Sequence, residues 1–143
     1  MTNTRMTTRP YLPDDENAVV ELWRECNLVQ LWNNPKRDIE RKSRVNPELF
    51  LVGLVDGKVV ATVMGGYEGH RGWANYLAVA PAYRRRGLGR LIMEAVEEKI
   101  RAMDCPKINL QIRADNLEAV KFYESIGYKT EARISMGKRL VED

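Results

Sequence analysis

An apolar strand, Tyr76-Leu77-Ala78-Val79, runs within a few residues into Arg84-Arg85-Arg86-Gly87-Leu88-Gly89 and then into an amphipathic helix. Few folds accommodate that succession. The helix places Leu88, Leu91, Ile92, Ala95, Val96 and Met103 on one stripe, with Glu94, Glu97, Glu98 and Arg101 elsewhere, the period of a helix packed on a sheet. It ends near Cys105-Pro106, because proline disfavours helix in the residue before it and cannot continue the hydrogen-bond ladder. Ile108, Leu110 and Ile112 then alternate with Asn109, Gln111 and Arg113, as in a half-buried strand. Strand, loop, helix and strand in that order predict two parallel strands joined by a right-handed crossover.

The loop in this unit reads as an anion cradle. Two glycines let the main chain turn tightly, so that N–H groups of the first helical turn point at phosphate oxygens, and the helix dipole with three arginines adds positive charge there. Taken alone, the arginines also read as a solvated basic run. A Walker-type loop needs a Gly-Lys-Ser/Thr ending, which is missing. A dinucleotide fold needs a third glycine, and that slot holds Ile92.

A second landmark is Asn116-Leu117-Glu118-Ala119-Val120-Lys121-Phe122-Tyr123-Glu124-Ser125-Ile126-Gly127-Tyr128. Its local physics is that of a short helix: Asn116 is a good N-cap, Glu118 suits the first turn, and Gly127 permits a left-handed stop. The Arg-x-x-Gly-x-Gly form from Arg84, followed by Asn-x-x-Ala-x-x-aromatic-Tyr-x-x-x-Gly-aromatic from Asn116, resembles the GNAT superfamily of acyl-CoA N-acyltransferases. The order of elements from about Pro10 to Leu140 fits the same family. Trp32-Asn33-Asn34-Pro35, the segment Met64 to Gly72 and the terminal Gly137-Lys138-Arg139-Leu140 are similar to its YpeA-type branch.

With 143 residues the chain is long enough for one domain, and 44% hydrophobic with 30% charged residues is an ordinary globular composition. A single domain spanning 1–143 is therefore expected, which the resemblance implies is an N-acetyltransferase domain, with residues 1–8 poorly ordered. The net charge of +3 demands no nucleic-acid surface, and a third class of function, a small basic nucleic-acid binder, lacks a groove-reading motif. Cys26 and Cys105 suggest neither zinc nor a disulfide framework, and read as buried thiols of a reducing cytosol. No signal-like or membrane-length apolar run is present, so a cytoplasmic protein without a membrane partner is expected.

Along the chain, Arg5 to Tyr11 predicts a first strand, and Pro13-Asp14-Asp15 caps a helix carrying Val19, Val20, Leu22, Trp23 and Cys26. A shorter helix from Pro35 through Lys42 is crowded with charge and is expected to be peripheral. Leu49 to Val55 and Val59 to Met64 flank Asp56-Gly57, a strong hairpin signal. A strand at Trp73 to Val79 follows, and the tail from Tyr128 to Leu140 is expected to return as one or two strands, whose exposed edge allows a homodimer. The fold expected is α/β (α+β): a mixed, mostly antiparallel sheet of six to seven strands with a central parallel pair, which the resemblance implies is splayed, flanked by about four helices.

The resemblance implies acetyl-CoA as cofactor, no metal, and a small-molecule or peptide amine as acceptor. It implies that coenzyme A is held by backbone groups of Leu77, Ala78 and Val79, as an added strand would be, and by Arg84, Arg85, Arg86, Gly87, Leu88 and Gly89 at the pyrophosphate. Asn116 and Tyr123 complete the cofactor set. Tyr123 matches the family's tyrosine that protonates the leaving thiolate, although its helical stripe with Ala119, Phe122 and Ile126 also suits a core position. The resemblance also implies that the developing oxyanion is met by the N–H of Leu77 or Val79.

Where many members carry a base, this chain has Trp73-Ala74-Asn75-Tyr76, with no carboxylate or imidazole. Glu68 and His70, nearby on a glycine-rich segment, are candidates, beside a water chain or an amine arriving neutral. Both residue types are commonly just solvated. Trp32 and Tyr67 are candidate walls of the acceptor pocket or simple packing, with Glu68 and His70 beside them, and Glu68 also suits a cationic amine. Direct transfer in a ternary complex is favoured, since neither cysteine has a sequence-adjacent activating histidine. The alternative is a non-catalytic acyl-CoA-binding or partner-binding domain that keeps the cleft without turnover.

Overall fold

A computed structural model describes residues 5–143, which form two compact units divided after Leu110. The first unit is a sheet in the order β1-β2-β3-β4-β5: β1 Thr7–Pro10, β2 Phe50–Val55, β3 Lys58–Tyr67, β4 Gly72–Val79 and β5 Ile108–Asn109. The first four strands pair antiparallel with their neighbours, whereas β4 and β5 are parallel. Three helices belong to this unit: α1 Glu16–Glu25, α2 Pro35–Lys42 and α3 Leu88–Arg101. The second unit carries α4, Leu117–Ser125.

The architecture is thus the expected mixed, mostly antiparallel one with four helices, but with five strands among the described residues rather than six to seven. The shortfall lies at the C-terminal end. The expected strand Ile108 to Ile112 pairs only at Ile108 and Asn109, and residues 129–143 form no strand. A ladder two residues long offers little backbone on which further strands can register. Ile134, Met136 and Leu140 are correspondingly exposed, and the edge strand proposed as a dimerisation element is missing among the described residues. At the other end, Thr7 and Thr8, expected within an unordered start, pair with Leu54 and Gly53, while residues 1–4 lie outside the described residues.

Local chemistry explains most element boundaries. Asp56 and Gly57 both have positive φ, 50° and 75°, the requirement of a two-residue hairpin turn whose twist matches its strands. Asn34 starts α2 by accepting the Arg37 N–H at 3.2 Å, with Pro35 in the first position. Helix α1 packs Val19, Val20, Leu22 and Trp23 against Phe50, Val52, Met64 and Ala78. On the opposite face α3 comes so close that a Cβ at Gly65 would lie 2.5 Å from Val96 Cγ2.

Two helical readings need correction. The buried residues of α3 are Leu88, Ile92, Met93, Val96 and Ile100, whereas Leu91 and Met103 are exposed. Helix α2 is not peripheral, because Pro35 and Ile39 are buried and Ile39 joins the α1 core.

Candidate active site

The parallel strands β4 and β5 meet and then part. They pair at Gly72 with Ile108 and at Trp73 with Asn109, and no further. The vertex is tight: the Gly72 N–H donates to Lys107 O at 2.8 Å, and a Cβ on Gly72 would lie 3.1 Å from Cys105 Sγ, Ile100 Cγ2 and Ile108 Cγ1. Beyond Trp73 the outer edge of β4 has no strand partner among the described residues. Ala80 donates its N–H to Val60 O at 2.8 Å on the β3 side, so strand alternation turns the N–H groups of Leu77 and Val79 to the unpaired edge. These are the backbone groups that the sequence resemblance singles out.

The bend in β4 comes from a bulge. Thr62 faces Ala78 and Met64 faces Asn75, so three steps on β4 match two on β3. At the bulge Tyr76 adopts φ 53°, and its ring stacks on Trp23 at a centroid distance of 3.8 Å. Its hydroxyl donates to Asp38 Oδ2 at 2.6 Å and accepts from Asn33 Nδ2 at 2.8 Å. From the sequence, Asn33 and Tyr76 stand only within longer stretches and Asp38 within a charged helix, and none of the three reads as a site residue. Nothing in their spacing joins a helix, the loop before it and a strand.

At the far end of β4, the Val79 carbonyl accepts from Arg84 Nε at 3.1 Å and from the Cys26 thiol at 3.4 Å. Arg84 therefore folds back over the strand end. Arg86 lies 5.1 Å over the Tyr83 ring, and Arg85 takes a left-handed φ of 64°. The second left-handed residue is Gly87, at φ 77°, while Gly89 already belongs to the first turn of α3. No side chain caps this helix, and its first ladder bond here runs from Leu91 N–H to Gly87 O at 3.1 Å. The N–H groups of Leu88, Gly89 and Arg90 are left without intrahelical acceptors, at the positive end of the dipole. Leu88, 1% exposed, anchors the loop beside Val55 and Val60. An uncapped helix start flanked by exposed arginines is the donor set that a diphosphate requires, and the open β4 edge is what an extended amide arm requires.

The acceptor candidates Tyr67, Glu68 and His70 are gathered by the β3–β4 turn. Tyr67 donates its hydroxyl to Gly69 O at 3.1 Å, and its N–H donates to Asn46 Oδ1 at 3.3 Å. Glu68 Oε1 accepts the N–H groups of His70, at 2.7 Å, and of Arg71. Those two bonds, Arg71 first, hold the carboxyl below the ordinary range, which makes Glu68 a weaker base. Trp32 lies exposed in the loop before α2. Lys42 rests across Gly66, its Nζ 3.6 Å from where a Cβ would stand, and burial lowers its pKa.

In the second unit, Asn116 caps α4 by accepting the Ala119 N–H at 3.2 Å. Gly127, at φ 101°, ends the helix, and Tyr128 N–H returns to Tyr123 O at 2.9 Å. Tyr123 meets Tyr128 edge-on with centroids 5.7 Å apart, and burial pushes its phenol up to about 12.

Comparison with known proteins agrees with this geometry. The sequence profile of the acetyltransferase (GNAT) family matches residues 16–128. The chain is 47% identical over 138 residues to an acetyltransferase from Pectobacterium atrosepticum, covering 96% of this chain and 98% of that protein. Among solved structures, Ard1 from Thermoplasma volcanium superposes with a TM-score of 0.77 at 28% identity, over 89% of this chain and 84% of that one. AAC(6')-Iy, solved with the bisubstrate analogue CoA-S-monomethyl-acetylneamine, shares the fold with a TM-score of 0.76 at 15% identity, over 96% of this chain and 100% of that one. With its profile matched across the sheet and helices that build the open β4 edge, the chain belongs to the acetyltransferase (GNAT) family.

Proposed function

We propose that this protein is an N-acetyltransferase that moves an acetyl group from acetyl-CoA to a primary amine by direct attack in a ternary complex. The observation that carries the reading is the unpaired edge of β4 beyond Trp73, continuous in sequence with the uncapped start of α3. Bound coenzyme A supplies the activated acetyl thioester. The N–H groups of Leu88, Gly89 and Arg90 hold its diphosphate, with Arg85 and Arg86 adding charge. Backbone groups of Leu77, Ala78 and Val79 align the amide arm, and the Leu77 N–H meets negative charge as it develops on the acyl oxygen. Tyr123 keeps its proton far above neutral pH and delivers it to the departing sulfur. Asn116 binds beside the arm through the amide nitrogen that its capping bond leaves free. Glu68, held as a weakly basic anion, attracts a cationic amine with His70, Tyr67 and Trp32 around it, and water takes the amine's proton.

The test is turnover, read as free thiol release across a panel of small amines and peptide N-termini. Tyr123→Phe should lower kcat by about 10²-fold at unchanged acetyl-CoA affinity, the signature of a lost general acid. Unchanged turnover where chemistry limits the rate would return Tyr123 to a packing role. Acetyl-CoA binding without turnover on any amine would identify a non-catalytic acyl-CoA-binding domain.

A further inference from the structure

Among the described residues, Tyr76 is the non-glycine residue of positive φ that lies within a strand; the others, Asn27, Asn46, Asp56, Arg85 and Asp104, fall in turns and loops. A bulky side chain in that region persists only where its surroundings hold it. One of those holds acts on the main chain. Thr62 Oγ1 donates to Tyr76 O at 2.9 Å, and itself accepts from Trp23 Nε1 at 2.9 Å. Thr62 and Trp23 are both completely buried, on β3 and α1. The carbonyl of Tyr76 and the N–H of Leu77 belong to one planar trans peptide and point in opposite directions. A bond that pulls the carbonyl towards Thr62 therefore aims the Leu77 N–H away from β3, at the open edge.

We propose that Thr62 is a positioning residue for acyl transfer: through the Trp23–Thr62–Tyr76 hydrogen-bond chain it aims the Leu77 amide at the acyl oxygen. The chain also polarises the peptide, because each donated bond strengthens the next between fully buried side chains. The catalytic half of this inference rests on the acetyltransferase reading. The geometric half, the aim of one amide, does not.

Thr62→Val keeps the shape and removes the hydroxyl; Thr62→Ser keeps the hydroxyl. Loss of an oxyanion donor typically costs about 10²–10³ in kcat, and a misaimed donor should cost about 10–10². The expected result is such a fall in kcat for Thr62→Val, with the KM for acetyl-CoA little changed, and recovery to near the wild-type rate in Thr62→Ser. In amide NMR spectra the Leu77 resonance should move in Thr62→Val and stay in Thr62→Ser, with the resonances of Thr7 and Thr8 on β1, a strand away from the one that faces Thr62, unmoved in both. A wild-type kcat in Thr62→Val, an equal loss in Thr62→Ser, or a Leu77 resonance common to all three proteins would overturn the proposal. If the wild type acetylates no amine, the acetyltransferase reading fails, and the Leu77 resonance still decides the geometric claim. Should Thr62→Val not fold, Thr62→Cys carries the same expectations, since a thiol is a weak donor.

Discussion

Gly87 and Tyr76 share a left-handed backbone for opposite reasons. At Gly87 a Cβ would meet nothing within 4 Å, so glycine is required there by its φ of 77° rather than by space. That need was legible in the sequence, because a glycine between a basic run and an amphipathic helix has few other uses. Gly87→Val should cost about 1–2 kcal/mol, the penalty of a left-handed L-residue. It should also remove the rise in melting temperature that acetyl-CoA gives the wild type, as linkage to native-state binding requires. Scanning calorimetry with and without acetyl-CoA measures both, and an undiminished rise would contradict the diphosphate assignment. The conformation of Tyr76 was not legible. Its hydrogen-bonding partners Thr62 and Asp38 stand 14 and 38 residues away, and no local pattern marks a tyrosine for strain.

Among the elements, α3 shows how far periodicity reaches. Helical spacing identified the helix, its start and its end before Cys105-Pro106, but chose Leu91 and Met103 for the buried face where the fold uses Met93 and Ile100. Leu88, Ile92, Val96 and Ile100 form an i+4 row inclined to the helix axis, so a face read along the axis drifts off it, and Met103 lies beyond the last turn. The sheet beneath decides. Gly65→Ala would force a methyl group to 2.5 Å from Val96 Cγ2 and 3.1 Å from Leu49 O, both in the packed interior. A loss of about 1–3 kcal/mol is expected, read as a lower urea midpoint at constant slope. Helix α2 teaches the reverse lesson. Its charges suggested a surface element, yet Ile39 is buried and Asp38 reaches the phenol of Tyr76, because one apolar residue per turn, Pro35 and then Ile39, suffices to seat a short helix.

For the molecule as a whole, ionisation sets the limits of stability. Burial raises the phenols of Tyr11 and Tyr123 to about 12, with Glu16 and Asp15 adding repulsion at Tyr11. Both favour the neutral form in the fold, so their contribution is complete below the ordinary tyrosine pKa of about 10 and is lost as pH rises towards 12. Asp15 behaves oppositely. Bonded to Arg9 at 2.7 Å, it is held below its usual pKa, so its contribution is complete above about pH 4 and is lost in stronger acid. Urea midpoints measured from pH 3 to pH 11 should therefore fall at both ends, and Asp15→Asn should flatten the acid limb most and, by removing its repulsion at Tyr11, soften the alkaline limb slightly.

The sequence by itself determined the hairpin at Asp56-Gly57, the strand–loop–helix–strand crossover, the cap at Asn116 and the stop at Gly127. The turn, the cap and the stop depend on backbone preferences and hydrogen bonds among residues a few places apart, and the crossover on the periodicity of each element and the handedness rule that joins them. Tertiary structure alone decided that β5 leaves β4 after two residues, that Arg84 covers the Val79 carbonyl, and that Trp23 and Thr62 turn one peptide of β4 outward. Those outcomes rest on hydrogen bonds and packing between distant segments, for which spacing along a chain carries no mark.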